Sequence, residues 1–189
     1  MKEDHAVGVR WAGILAIVLN AGLVSALWLW SFLEFRSLPG SIPIHFGLAG
    51  RPDRWVERTW GSWLLIPGTA LGISALVGII GLVVAQVGAA SGRWLNVPAK
   101  KVFLRLPPSD QTAILRASAP LFGWVVLPMN LLLIYIQWSI AEVARLHRPG
   151  LGVGFLAAGV LLVPAIAILP VIRLRRRILD LAKERGIEK

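Results

Sequence analysis

The chain predicts an all-α integral membrane protein, a four-helix bundle with one ordered external loop between its first two helices. Three observations carry this. Of 189 residues, 56% are hydrophobic and only 16% charged, a balance foreign to most soluble domains. Four stretches carry no charge at all: 23 residues between Arg10 and Glu34, 34 between Arg58 and Arg93, 25 between Arg116 and Glu142, and 24 between Arg148 and Arg173. Each exceeds the roughly 20 apolar residues that cross a hydrocarbon core as a helix, and all are too long for barrel strands.

The predicted spans are 11–33, 63–87, 120–141 and 151–172, in a single membrane domain covering 1–189. The first run is longer than a signal-peptide core and has no clear small-residue cleavage site, so it is expected to be an uncleaved anchor. Cysteine is absent, which excludes disulfides and thiolate chemistry. Lys and Arg in the short loops set orientation. The N-terminal tail, the second loop (88–116) and the tail 173–189 together hold fourteen of them: Lys2, Arg10, Arg93, Lys100, Lys101, Arg105, Arg116, Arg173, Arg175, Arg176, Arg177, Lys183, Arg185 and Lys189. The first loop (34–60) and the third hold six: Arg36, Arg51, Arg54, Arg58, Arg145 and Arg148. Both termini are therefore expected in the cytoplasm of a bacterial cell, in its cytoplasmic (inner) membrane. The net charge of +10 is mostly a topology signal, and no nucleic acid partner is expected.

Tryptophans fit these boundaries. Trp11, Trp28, Trp30, Trp60, Trp63 and Trp138 fall near predicted span ends, where indole favours the headgroup level. Glycines in GxxxG spacing, Gly68/Gly72 and Gly150/Gly154, suit close helix packing, expected to be mainly intramolecular. Prolines Pro67, Pro120, Pro128, Pro164 and Pro170 predict static kinks. Polar residues in the spans are few. Asn20 and Asn130 lie at depths differing by about one turn, and Gln137 shares a face with Asn130, so an interhelical hydrogen bond from Asn20 to that face is expected. The absence of ionisable residues at mid-membrane argues against proton-coupled transport.

On the cytoplasmic side, Ser109 is the expected N-cap of a helix that runs into the third span, with Asp110 in its first turn. Lys100–Leu106 suits an element at the headgroup layer. The tail continues the fourth helix as a basic amphipathic segment. Expected partners are the bilayer, anionic lipids at these basic segments and a cytoplasmic protein.

The first loop is unusually specific. Pro39 and Pro43 keep Leu38 and Ile42 extended, Gly47 and Gly50 permit turns, and Pro52 extends Arg51. Asp53 is expected to pair with Arg51 or Arg54. Trp55 brings the chain back to the interface. Pro43, His45, Phe46, Gly50, Pro52, Asp53 and Trp55 are the candidate ligand-binding or structural residues.

"LPGSIPIHFGLAGRPDRW" resembles the first-loop motif of a bacterial membrane domain of unknown function that also occurs in SdpI-like immunity proteins. Leu38, Pro39, Ile42, Pro43, His45, Phe46, Gly50, Pro52, Asp53 and Trp55 match its pattern, roughly Leu-Pro-x-x-Ile-Pro-x-His-Phe followed by Gly-x-Pro-Asp-x-Trp. The resemblance implies a multi-pass membrane domain and an immunity-like role against an extracellular peptide.

His45 has three readings. It fixes the loop through hydrogen bonds, or responds to pH because histidine changes charge near neutrality, or joins His147, Asp53 and Glu142 in a zinc-type site, whose spacing matches no known metal signature. No cofactor is expected, and no enzyme: no nucleophile, metalloprotease or phosphate-loop signature is present. The functional expectation is a binding, sensing or immunity-like protein that engages an extracellular peptide or lipid through the loop. The alternative is a component of a small-molecule or lipid transporter or channel, and a purely structural membrane subunit is a third reading.

Overall fold

A computed structural model of the protein describes residues 2–86 and 94–187, with the side chains of 2–10 and of 153, 155, 156, 158, 160 and 162 outside that description. Helix dominates. In chain order the elements are α1 (Lys2–Glu34), a short 3-10 turn (Phe35–Ser37), β1 (Ser41–Phe46), β2 (Pro52–Glu57), α2 (Trp60–Trp63), α3 (Leu65–Gln86), α4 (Lys100–Phe103), α5 (Pro108–Ala144) and α6 (Val153–Glu184).

Three segments are long and apolar enough to cross a membrane: Trp11–Ser37, Leu65–Gln86 and Pro108–Ala144. They contain the first three predicted spans almost entirely. The fourth, 151–172, falls largely in α6, where several side chains lie outside the described residues. The basic tail does continue this helix, to Glu184.

The all-α expectation needs one correction. The first loop is an antiparallel hairpin, β1 paired with β2. Its prolines stop helix but tolerate strand, because a two-stranded ribbon has free edges on both sides and needs no donor there. Pro52 opens β2, and Pro43 pairs with Trp55.

The chain divides into two compact units, and α1, α3, α5 and α6 contribute residues to both. The first unit comprises Met1–Ile17, Leu76–Val125 and Pro164–Lys189. Its core gathers Val84, Phe103, Leu106, Ile114, Leu115, Ile178 and Ala182. The segment Lys100–Leu106 therefore turns Phe103 and Leu106 into protein, while Leu104 stays exposed. Two of its apolar residues are thus core residues and not lipid-facing ones. Ser109 is not the N-cap either. Pro108 is the first helical residue of α5, and the Pro107 carbonyl accepts from the amides of Asp110 and Gln111. Proline suits that first position because its missing N–H has no helical partner to lose. Residues 88–93 of the expected cytoplasmic loop lie outside the described residues. Arg185 makes a two-pronged pair with Asp110 at 3.0 and 3.2 Å, tying α6 to the start of α5.

The second unit comprises Val18–Ala75 and Val126–Val163 and carries the hairpin. One apolar cluster joins Leu38, Ile42, Trp63, Ile140, Ala141 and Ala144. Another joins Val24, Leu27, Ala70 and Leu133.

The glycine expectation is corrected in part. A Cβ at Gly68, Gly72 or Gly154 would meet no described atom within 4 Å, so the described residues give these three no close contact, whereas Gly150 packs against the Gly50 carbonyl. Close approach occurs at Gly13 against Pro120, Gly81 against Phe122, and Gly123 against Ala16.

Candidate functional site

The hairpin is held from below and presented above. Arg58, just after β2, reaches back to the end of α1. Its Nη1 donates to the carbonyls of Phe35 and Leu38, both at 2.8 Å, and of Arg36 at 3.3 Å. Carbonyls at a helix C-terminus lack intrahelical partners and favour a cation there. The guanidinium also lies over the Phe35 ring, 4.9 Å from its centroid, and that ring stacks on Trp60 at 3.7 Å. Thr59 then starts α2 through a reciprocal capping pair with Ser62. Sequence reasoning counted Arg58 only as a loop charge; its signal was a lone arginine directly before a Thr-x-x-Ser cap.

Five loop residues, 47–51, connect the strands. The Gly47 amide donates to the Arg51 carbonyl at 2.9 Å, and the Gly50 amide to Gly47 at 2.8 Å. Gly50 adopts φ 72°, a left-handed conformation that glycine takes without a Cβ penalty. The connection between α5 and α6 docks here. The Leu151 amide donates to the Gly50 carbonyl at 2.8 Å, and a Cβ on Gly150 would lie 2.1 Å from that same oxygen.

His45 and Asp53 meet on the exposed face. Their Nδ1–Oδ1 distance is 2.6 Å. This corrects the expected pairing of Asp53 with Arg51 or Arg54. The hairpin brings them together: His45 pairs with Arg54, with a register shift on either side, and Asp53 is the next residue along the facing strand. A carboxylate can only accept, so Nδ1 carries a proton and a neutral ring leaves Nε2 as an acceptor facing outward. Trp55 and Ile44 are both partly exposed nearby in sequence. His147 pairs instead with Glu142, at 3.4 Å. The structure thus divides the four candidate zinc ligands into two pairs, and no group of three or more His, Cys, Asp or Glu among the described residues is placed to hold a metal.

Glu142 also faces Arg145 at 3.5 Å. Arg145 bonds Glu34 and, at 2.6 Å, the Ser37 hydroxyl, so it clamps the end of α1 to the end of α5.

The membrane-core polar residues form two clusters. Asn130 Nδ2 donates to Asn20 Oδ1 at 2.8 Å and to Ser74 Oγ at 3.0 Å. The depth argument brought the two asparagines together; Ser74 joins from α3, and nothing in its sequence surroundings marked it. Gln137 belongs to the second cluster. Pro67 has no N–H to give the Trp63 carbonyl one turn earlier, and Gln137 Nε2 donates to that carbonyl at 3.0 Å. A neighbouring helix thus repairs the gap a proline makes. Trp63 itself is corrected from an interfacial anchor to a core residue: it is 1% exposed, and its indole donates to the Ser31 carbonyl at 2.8 Å. Gln137 Oε1 is buried without a hydrogen-bond partner among the described residues, a condition that costs about 1–3 kcal/mol.

Residues 21–70 match a family model described as "Domain of unknown function (DUF1648)". That span contains the hairpin, His45, Asp53, Arg58 and Trp63. An "Uncharacterized protein" of Archaeoglobus fulgidus is 31% identical over 81 residues, which is 43% of this chain and 43% of that protein's length. No solved structure matches.

Proposed function

We propose that the protein is a sensing or immunity-like binding protein of a bacterial cytoplasmic membrane, with four transmembrane helices and both termini in the cytoplasm. The hairpin recognises an extracellular peptide. The His45–Asp53 pair is the observation that supports this best. It is an oriented imidazole on an exposed strand face, and Arg58 and the buried Ile42 and Pro43 hold that strand from the other side. An imidazole oriented in this way offers Nε2 to a donor such as a peptide N–H, and Trp55, 40% exposed, supplies aromatic surface. Arg51 and Arg54, both exposed, favour acidic or backbone carbonyl groups on the ligand. The resemblance of the loop to that of SdpI-like immunity proteins supports the same reading. The basic residues of α6 (Arg173, Arg175, Arg176, Arg177) suit anionic lipids or a cytoplasmic partner.

The test uses cells with and without the protein, challenged with a panel of secreted antimicrobial peptides. The wild type raises tolerance to at least one peptide. The His45→Ala/Trp55→Ala double variant, at equal membrane abundance, loses that tolerance; if it protects as well as wild type, the reading fails.

Transport of a small molecule or lipid is the second reading, drawing on the buried polar cluster of Asn20, Ser74 and Asn130 beside proline-containing helices. Solute flux in proteoliposomes carrying the purified protein checks it.

A further inference from the structure

The connection between α5 and α6 carries a cation that no described acid neutralises. The Arg148 guanidinium lies over the Trp138 ring, 5.0 Å from its centroid. No carboxylate or carbonyl among the described residues bonds it. Of its three nitrogens only Nη1 is buried, and Nε and Nη2 reach the surface. The acids at this end of the helices are already engaged. Glu142 pairs with Arg145 and His147, Glu34 with Arg145, and Asp53 with His45.

The surroundings hold this arginine beside an apolar strip. The Gly152 amide donates to the Tyr135 hydroxyl at 3.2 Å, and a Cβ on Gly152 would lie 2.6 Å from that hydroxyl and 4.0 Å from Arg148 Nη2. The Tyr135 and Trp138 rings are neighbours on α5, with centroids 5.9 Å apart. Trp138 is 41% exposed. Two turns back along α5, roughly 10 Å toward its middle, Leu131 is 49% exposed. A Cβ on Gly150 would meet the Arg51 Cα at 3.2 Å, so a second exposed arginine without a described partner starts beside the same connection.

We propose that Arg148 and Trp138 bind the phosphodiester of a membrane phospholipid, with the phosphate on the guanidinium and the start of an acyl chain along Trp138 and Leu131. Nε–H and one N–H of Nη2 point the same way, the fork that grips two oxygens of one phosphate, and this is the edge left open. Burying part of a cation costs free energy that a paired anion offsets. Tyrosine and tryptophan favour the depth at which phosphates lie. The apolar strip leading to Leu131 favours a lipid over a free anion. This binding does not depend on recognition at the His45–Asp53 face.

Full-length protein in dodecyl maltoside is photolabelled with a phosphatidylglycerol carrying a diazirine at the top of one acyl chain, and labelled residues are located by mass spectrometry. Labelling within 131–152 is saturable. Dioleoyl phosphatidylglycerol competes there at least about tenfold better than dioleoyl digalactosylglycerol, which has the same chains and no phosphate, because hydrogen bonds between ionised partners are the strong ones. Arg148→Gln removes that preference and leaves any labelling within 173–177 unchanged. Non-saturable labelling, equal competition by the two lipids against the wild type, or a preference that survives Arg148→Gln overturns the proposal. Displacement of the label by inorganic phosphate or by tetraglutamate as effectively as by phosphatidylglycerol also overturns it, and assigns the arginine to a free anion or an acidic peptide. The competitions against the wild type need no variant to fold. Loss of peptide tolerance in the His45→Ala/Trp55→Ala protein with the lipid preference intact separates the two readings.

Discussion

Asn130 shows how much a single polar side chain organises in an apolar surrounding. It bonds Asn20 on α1 and Ser74 on α3 from a position that is 1% exposed. Hydrogen bonds between membrane helices contribute about 0.6–2 kcal/mol. Asn130→Leu, close in volume, leaves both partners without it and is expected to lower stability by about 1–2 kcal/mol, measured by unfolding in mixed micelles. A double-mutant cycle with Asn20→Leu should give a coupling near 1 kcal/mol, and a coupling of zero would show that the contact contributes nothing. Gly150 is decided by space alone. Its missing Cβ lies where the Gly50 carbonyl passes, and backbone cannot move aside as a side-chain tip can. Gly150→Ala is expected to destabilise by at least about 1–3 kcal/mol and to expose the Gly50 turn to limited proteolysis. Gly154→Ala, with no described neighbour within reach, should change stability by less than about 0.5 kcal/mol.

At the scale of elements, the hairpin is stabilised from outside itself. A two-stranded ribbon in water is marginal. Here Ile42 and Pro43 are buried against Trp63 and α5, Leu151 bonds the turn, and Arg58 ties the chain leaving β2 to the end of α1. Arg58→Gln keeps a donor but loses both the charge and the reach across three carbonyls. Amide hydrogen exchange in Ser41–Glu57 should rise by about tenfold or more, since hydrogen bonds to charged groups contribute about 1.5–3 kcal/mol. Exchange in the mid-part of α5 should stay as in wild type, and a uniform rise along the whole chain would contradict a local role. Only part of this element was legible in the sequence. The prolines predicted extended chain at Ile42 and Arg51, and extended chain is what forms. Strand pairing was not legible, because it depends on which extended segment meets which, and the prolines that exclude helix do not specify a partner.

For the whole molecule, composition and charge asymmetry lead, and the missing cysteines make orientation testable. Leu48 sits fully exposed at the hairpin tip, and Lys183 is exposed near the end of α6. With no native cysteine, Leu48→Cys and Lys183→Cys each provide a unique thiol. In intact cells an impermeant maleimide should label the first and not the second, and permeabilised cells should show both labelled. The reverse pattern would invert the orientation drawn from the Lys/Arg count.

What the sequence determined by itself was the membrane class, the extent of the first three apolar helices, the irregular course of the first loop, and the shared depth of Asn20 and Asn130. Each follows from local pattern: a charge-free run of sufficient length, a proline that restricts its predecessor, a count of residues at 1.5 Å per step. The tertiary structure decided the rest. It paired Asp53 with His45 and not with an adjacent arginine, gave Arg58 three carbonyls 20 to 23 residues back in the chain, and turned Trp63 inward to meet Ser31. It also set Gln137 to donate to the Trp63 carbonyl and to the Ser31 hydroxyl, with its Oε1 buried and unpartnered among the described residues. These outcomes depend on the pairing of two strands and on carbonyls freed at helix ends and prolines. Neither exists until the segments pack, so no window of sequence contains them.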